Sequence, residues 1–588
     1  MERLGFLCRA IMEQADITQR QLAQQLGLSL GTVNHLIREA VQEGYISPGG
    51  SKGQWQVTEA GLKFMEQFKV DGALIIAAGF GSRFVPLTFE MPKGLLEVFG
   101  ERMIERQIKQ LHEAGITDIT IMVGYLKEKF DYLIDKYGVK LIFNPEYADK
   151  NTIATVHHAR RVMAGRNMYL LPSDNWLRNN MYHAYECCSW YSAVYMEGET
   201  SEWCLDYNKK GRITGVTIGG ADSWVMYGPA FFSKNDSAAF LKLIEDYYHR
   251  PGTDMMHWEQ VIMENCDAFP FYVNLQPQDQ VYEFENLEEL RVFDPKYQNH
   301  SDNKAMELVS NVFHVEESKI QDIRCLKSGM TNNSFLFTVE GVHYICRIPG
   351  PGTELLLNRH EEKAVYDAVA PLNISDRLIY FDADTGYKIT RFYDGSRNSD
   401  ASDWNDVKAC MALLRTLHHT GVRVEHCFDI RRRIAKYEKL CHDILFEDYR
   451  EVRGKMNRIL DKLDALNRPK VLAHIDSVAD NFLFLPDGRV KLIDWEYAGM
   501  CDGLIDPAMG GIYARYNEEE MDRLLAVYLE REPSEEERLV YDSYVALGGF
   551  LWALWAVYKE SLGDELGDYT LNMYRYAKTY YKKIAGQL

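Results

Sequence analysis

His474, Asp476, Asn481 and Asp494 lie in one short stretch, VLAHIDSVADNFLFLPDGRVKLIDWEYAG, from Val471 to Gly499. Phosphoryl transfer from ATP needs this set at this spacing. One carboxylate must hold and orient an acceptor hydroxyl, and an amide oxygen and a second carboxylate must hold Mg2+ against the phosphates. Asp476 fits the first role, and Asn481 and Asp494 fit the metal role. A plain hairpin around Pro486-Asp487-Gly488 explains Asp487 and Gly488 as turn residues. It does not explain the four polar residues together.

A second constellation sits far upstream. A buried strand, Ala73 to Ala77, runs into the glycine loop Ala78-Gly79-Phe80-Gly81-Ser82-Arg83, followed by Pro86-Leu87-Thr88 and Pro92-Lys93. Glycines after a strand let backbone N–H groups approach phosphates closely. Arg83 and Lys93 add the positive charge a triphosphate demands. The segments beyond alternate: helix Ile104–Ala114, strand Ile119–Val123, helix Lys127–Lys136, strand Val139–Phe143. That alternation predicts a parallel, Rossmann-like α/β sheet.

This set resembles the sugar-phosphate and choline-phosphate nucleotidyltransferases. The match to CTP:phosphocholine cytidylyltransferases is closer. It runs through Val123-Gly124-Tyr125, Asn144-Pro145-Glu146-Tyr147, Ser201-Glu202-Trp203, His257-Trp258-Glu259 and Val281-Tyr282-Glu283-Phe284-Glu285. The resemblance implies attack of a phosphate oxygen on the α-phosphorus of CTP, with pyrophosphate leaving. It assigns Ala78, Gly79, Gly81 and Arg83 to the triphosphate and Lys93 to the space between the phosphate groups. Asn151 and Thr152 would lie near base and ribose, and Asp174 and Glu285 would bind Mg2+. Two departures from the family pattern stand out: Pro172 replaces an Asp, and Glu285 replaces a metal-binding Asp. A quaternary ammonium is held by aromatic faces and diffuse negative charge, and Trp203 and Trp258, flanked by Glu202 and Glu259, suit that need.

In the last part of the chain, Gly329, Thr331 and Asn332 lie between two expected strands and could cover ATP phosphates. Arg347 falls inside a strand where kinases place a phosphate-pairing lysine, and Glu362 on the next helix is its expected ion-pair partner. With Asp476, Asn481, Asp494 and Asp506-Pro507, this region resembles bacterial choline kinases, which share the protein-kinase-like fold of aminoglycoside phosphotransferases. The discriminating piece is Gly549-Phe550-Leu551-Trp552-Ala553-Leu554-Trp555. Trp552 and Trp555 lie three apart on one helical face. A Trp stripe in an apolar helix is more often core, but in choline kinases this helix lines the choline pocket, with Glu496 or Tyr497 nearby here. His418 reads as a structural histidine. Neither His157-His158 nor His418-His419 shows metal-site companions in the sequence.

The first 70 residues read as two helices with a tight turn, from Asp16 to Ile46, and a hairpin through Trp55-Gln56-Val57. The pattern resembles winged helix-turn-helix domains of bacterial regulators. Thr32, Asn34, His35 and Arg38 could read base edges, but acids balance the basic residues, a poor footprint for DNA. DNA contact through residues 1–70 and a packing role both stay open.

The whole chain bounds the reading. Its 588 residues suit three to four domains, and a net charge of −20 argues against a general nucleic-acid or acidic-membrane surface. Eleven cysteines without C-x-x-C pairs suit a reducing cytoplasm. No membrane span is expected, since the most apolar stretch, Tyr544 to Tyr558, is shorter than the roughly 18 to 20 residues required. The expected architecture is multidomain, α/β and α+β. It comprises a winged helix (1–70), a nucleotidyltransferase domain (71–298) and a choline kinase-like domain (299–588). The expected function is CDP-choline synthesis: choline and ATP give phosphocholine, then phosphocholine and CTP give CDP-choline, with Mg2+ in both steps. The alternatives are the same chemistry on ethanolamine or an aminoalkylphosphonate, and a ligand-sensing regulator with enzyme-like domains. A homodimer is a further open expectation.

Overall fold

The computed structural model describes every residue except 1, 50–53, 329–331, 351–352 and 565. The chain divides into two compact units, Met1–Glu307 and Leu308–Leu588.

The first unit begins with three helices, Glu2–Glu13, Gln19–Gln25 and Leu30–Gln42. Thr18, Ser29 and Thr58 cap helices with side-chain oxygens that accept from backbone N–H groups two or three residues inside. A short hairpin pairs Ile46–Pro48 with Trp55–Val57. The helix Glu59–Met65 packs so tightly on this wing that a Cβ on Gly61 would come within 2.1 Å of the Tyr45 carbonyl oxygen. Leu7, Leu22, Val33, Ile37 and Met65 fill the small core.

The same unit continues into a seven-stranded sheet. Its order is Tyr272–Gln276, Trp190–Tyr207, Ile213–Phe232, Met168–Pro172, Gly72–Ala77, Ile119–Val123 and Lys140–Phe143. The last four strands are parallel, as the alternating pattern predicts. The sheet as a whole is mixed, because the long ribbon of Trp190–Tyr207 and Ile213–Phe232 extends it antiparallel to Met168–Pro172. The helices Met103–Glu113 and Thr152–Met163 each contribute to one of two apolar clusters built around the central strands. The glycine loop leaves the C-terminal end of the central strand, the usual ligand edge of such sheets.

The second unit opens with an antiparallel sheet of Gln321–Ser328, Asn332–Val339, Val342–Pro349, Lys388–Arg391 and Leu378–Phe381. The helix Arg359–Val369 follows its third strand. The remainder is largely helical around Glu535–Ser561, a 27-residue helix. By length and composition it could cross a membrane, yet 94% of its most apolar window is buried inside the unit. It is the core helix of this lobe, and it carries Trp552 and Trp555.

The segment 474–481 is held in place by Asp506, fully buried on the helix Ile505–Tyr513. Its carboxylate accepts from the backbone N–H of His474 at 2.8 Å and of Ile475 at 2.6 Å, and meets His418 Nε2 at 2.9 Å. Ile475 has φ +72°, a left-handed conformation that a β-branched residue adopts only under constraint. Such strain costs about 1–3 kcal/mol, and each hydrogen bond to a charged group returns about 1.5–3 kcal/mol, so the paired bonds outweigh the strain. The variant Asp506→Ala is expected to lose about 3 kcal/mol or more from the second unit. Urea unfolding should show this as an earlier transition of that unit, with the transition of the first unit unmoved.

Candidate active sites

In the second unit, a cavity of about 580 Å3 is bounded by Asn332, Arg347, Asp476, Asn481, Asp494, Glu496, Tyr497, Tyr513, Trp552, Trp555 and Tyr569. Asn481 ends a 3-10 turn, Ala479–Asn481. Its Nδ2 donates to the Asp476 backbone oxygen at 2.8 Å and to Asp476 Oδ2 at 3.0 Å. The amide's own oxygen is thereby left to face a ligand. Asp494 sits at φ +65° at the end of the strand Val490–Leu492. Arg347, in the strand Val342–Pro349, forms a two-pronged ion pair with Glu362 at 2.7 and 2.8 Å and reaches Asp494 at 3.2 Å. Thus Glu362, not its neighbour Glu361, is the partner of the strand arginine.

Burial, with Asp494 and Glu496 close by, pushes the Asp476 carboxyl up to about 7. A carboxylate pushed up by two other carboxylates marks a site with too little positive charge. The donors are hard oxygens of Asp494 and Asn481, so this set fits Mg2+. Glu496 is less free than the sequence suggests. It is paired with Arg359 at 3.1 Å and accepts from Asn332 Nδ2 at 3.1 Å. Its charge therefore serves the arginine network rather than an ammonium group. Trp552 and Trp555 are both buried, yet both border the cavity, with Tyr497 and Tyr513 against the Trp552 ring. Gly329 and Thr331 lie outside the described residues.

Sequence reasoning missed Lys388 as a member of this site. Its Nζ lies 3.0 Å from Glu362 and 2.9 Å from the Tyr366 hydroxyl, fully inside the sheet. A lysine pointing inward from an apolar strand was the available signal. It also missed Tyr513 and Tyr569, whose positions depend on how helices pack.

In the first unit, Gly81 takes φ +68° and begins the turn Ser82–Phe84. Lys93 Nζ lies 2.6 Å from Asp174 and 4.7 Å from the centre of the Phe84 ring. Despite burial, the Lys93 ammonium holds the Asp174 carboxyl below its ordinary range. The carboxylate that strand pairing sets beside Asp174 is Glu283, not Glu285. Val281–Glu283 runs antiparallel to Asn175–Leu177, with Glu283 opposite Asn175, and Asn175 Nδ2 donates to Glu283 at 3.1 Å. The strand ends at Glu283, and Glu285, beyond it, forms an ion pair with Arg83. Burial and the neighbouring Asp174 push Glu283 up to about 7. Asp174 and Glu283 together offer the oxygen donors Mg2+ requires.

Trp258 is not a cage wall. It is 3% exposed and packs among Tyr191, Phe232 and Phe240. Its neighbour Glu259 has an oxygen, Oε2, with no hydrogen-bond partner among the described residues. Burial pushes this carboxyl up to about 8, with Glu283 adding to the effect. Trp203 is half-buried on the long ribbon and meets the His257 ring edge-on. Glu202 is raised by burial and lowered by Arg83. Asn151 and Thr152 start the helix Thr152–Met163 and tie it to the loop before Trp258. Asn151 Nδ2 donates to the Met255 carbonyl oxygen at 3.2 Å, and Thr152 Oγ1 accepts from the Trp258 N–H at 3.0 Å. Glu283, Tyr191 and Tyr227 join the site without having been singled out; the Tyr227 hydroxyl donates to the Glu283 carbonyl oxygen at 3.0 Å.

The winged helix is fused to the sheet. Arg9 pairs with the buried Glu186 at 2.7 Å, Glu13 with His183 at 2.7 Å, and Val70 N–H donates to the Ala184 carbonyl oxygen at 2.9 Å. The helix Leu30–Gln42 turns Thr32, His35 and Glu39 toward a cavity of about 1130 Å3, with Glu186–Cys188 and Ser233–Asp236 on its other side.

Comparisons with known proteins agree with this geometry. Residues 72–193 match the nucleotidyl transferase family, 322–540 the phosphotransferase enzyme family, and 9–47 the winged helix-turn-helix DNA-binding family. The chain is 34% identical over 219 residues to a choline-phosphate cytidylyltransferase of Streptococcus pneumoniae, covering 37% of this chain and 95% of that protein. It is 32% identical to a 2-aminoethylphosphonate cytidylyltransferase of Lancefieldella rimae, covering 38% of this chain and 92% of that protein. The solved choline kinase LicA from Streptococcus pneumoniae aligns at 28% identity with a TM-score of 0.44, covering 48% of this chain and all of that one.

The pairing of Asp174 with Glu283 is testable by metal binding alone. Mn2+ titration followed by electron paramagnetic resonance should show affinity at this site falling about 10- to 100-fold in Glu283→Gln. Glu285→Gln should fall by much less. The opposite order would restore Glu285 as the ligand.

Proposed function

Through its middle third the chain belongs to the choline-phosphate cytidylyltransferase family of nucleotidyl transferases, and from that premise we propose that it makes CDP-choline in two consecutive steps. The second unit transfers the γ-phosphoryl group of ATP to choline. The first transfers the cytidylyl group of CTP to the phosphocholine formed, releasing pyrophosphate.

One observation carries the choline reading: Asp476 shares a cavity with Trp552, Trp555, Tyr497, Tyr513 and Tyr569. A trimethylammonium group donates no hydrogen bond, and aromatic faces hold it at about 2 kcal/mol when water is excluded. Asp476 orients the hydroxyl and accepts its proton as the phosphoryl group arrives, and a base poised near neutrality suits that task. Asn481 and Asp494 would hold Mg2+, which neutralises charge on the transferring phosphoryl group. Arg347, fixed by Glu362, stands at the phosphate side. In the first unit, Gly79, Gly81 and Arg83 would receive the triphosphate, with Lys93 beside the α-phosphate and Asp174 and Glu283 as metal ligands. Glu202 supplies negative charge for the headgroup, and Trp203 the aromatic surface. Consumption of ATP and CTP and eleven free thiols fit a cytoplasmic setting.

Incubation with choline, ATP, CTP and Mg2+, followed by mass spectrometry, tests both steps. Asp476→Ala should lower kinase turnover about 10²- to 10⁴-fold and spare cytidylyl transfer. Lys93→Ala should do the reverse, by about 10²- to 10³-fold. One substitution silencing both steps would refute two independent sites. Choline should exceed ethanolamine in kcat/KM by about 10-fold or more, and phosphocholine should exceed 2-aminoethylphosphonate in the second step. Reversal in either step reassigns that substrate.

For residues 1–70 we infer a docking role over DNA reading. The end of the helix that would enter a major groove borders a cleft where Glu2, Glu39 and Asp236 offset Arg3 and Lys234, a balance that gives a phosphate backbone little to bind. Gel-shift of the full chain with duplex DNA at physiological salt should show no complex, with or without CDP-choline. A nanomolar shift would overturn this role.

A further inference from the structure

The helices Thr152–Met163 and Lys234–Tyr248 lie side by side in the first unit. His157 on the first faces Glu245 on the second and His249 at its C-terminal cap, which are spaced one turn apart. One ligand atom from each of the three falls within 4.8 Å of the others. His157 Nε2 is 2.9 Å from one Glu245 oxygen, and His249 Nε2 is 3.3 Å from the other. Donors bound to one tetrahedral zinc at about 2.0–2.1 Å lie about 3.3 Å apart, so the three side chains are close enough to converge on one ion after a small adjustment.

His157 supplies the stronger argument. It is 6% exposed. Neither ring nitrogen makes a hydrogen bond of acceptable geometry among the described residues, although Nε2 lies so near Glu245. The N–H direction and the carboxylate oxygen therefore do not point at each other. A buried imidazole left in this condition costs stability unless something else takes its lone pair. Burial, with Arg160 nearby, also keeps the ring below its ordinary basicity, in the neutral form a metal binds.

The surroundings hold the ring still. Tyr248 stacks flat on His157 at 3.7 Å between centres, 6° from parallel. Its hydroxyl is anchored on Glu146 at 2.6 Å. His158 is engaged by Glu146 at 2.7 Å and is not a candidate ligand. Arg160 Nε lies 3.4 Å from Glu245 and is the cation an incoming metal would displace or share.

We propose that His157, Glu245 and His249 form a site for one divalent transition metal of the zinc type, with water as the fourth ligand, clamping these two helices together. Two imidazoles and one carboxylate suit Zn2+ rather than the Mg2+ of the catalytic sites. The clamp is separate from both reactions, so failure of this site leaves the functional reading standing.

The test uses the full, tag-free chain stripped with chelator and then titrated with Zn2+ or Co2+. Metal analysis should find one tightly held Zn2+ per chain, and bound Co2+ should show the visible absorption of a tetrahedral ion. Excess Zn2+ should raise the Tm of the first unit by about 5 °C. His249→Ala, at an exposed position, and Glu245→Gln, isosteric at a half-buried one, should fold, yet lose 10-fold or more in affinity and most of the Tm shift. His157→Ala leaves a buried hole and serves only as a secondary variant. No retained zinc, or the same affinity and Tm shift in His249→Ala and Glu245→Gln, would overturn the proposal.

Discussion

Both sites are organised by negative charge buried in excess of its compensation. In the second unit four carboxylates, Glu362, Asp476, Asp494 and Glu496, converge on three cations, Arg347, Arg359 and Lys388. Glu362 takes contacts from all three cations and stays strongly acidic. The deficit falls on Asp476, pushed up to about 7, while Glu496 is taken up by Arg359. Removing a charge from water in this way costs several kcal/mol unless a partner is supplied. The partners are the reactants: a divalent cation with its nucleotide, and a cationic headgroup. The first unit repeats the arrangement with Asp174, Glu202 and Glu283 near Lys93 and Arg83.

Such a concentration of like charge needs a rigid frame. The frame in the second unit is Asp506, whose carboxylate spans two successive backbone N–H groups and a buried histidine. It keeps Ile475 in a conformation the residue would not choose and so fixes the direction of Asp476, the next residue. Asp494, also left-handed, is set by the hairpin behind it. In the first unit the frame is backbone pairing: the strand Asn175–Leu177 brings Glu283 to Asp174. The fusion of the winged helix through Arg9, Glu186 and Val70 is a third fixed contact.

Much of this was legible in the sequence because it depends on short spacings. Asp476, Asn481 and Asp494 lie within one hairpin, and Gly79, Gly81, Arg83 and Lys93 follow one strand. Local geometry therefore brings each set together. The Arg347–Glu362 pair was legible because one strand leads directly to the helix that answers it. Glu283 and Glu285 flank Phe284 and look alike in the sequence; only where the strand pairing ends shows that Glu283 is the one set beside Asn175. For Trp258 the sequence could not choose, because an indole beside an acid looks the same in a cage and in a core.

By itself, then, the amino-acid sequence determined the order of the three folds, both reaction types and the groups that each short motif delivers. The tertiary structure alone decided which distant residues meet. Glu283 rather than Glu285 faces Asp174, Lys388 joins Glu362, and His157 acquires Glu245 and His249 from a helix some ninety residues away. The reason is physical. Hydrogen-bonded turns and strand alternation act over a few residues and leave a trace in spacing. Packing of one helix or strand against another depends on the shape of whole surfaces, and no spacing records it.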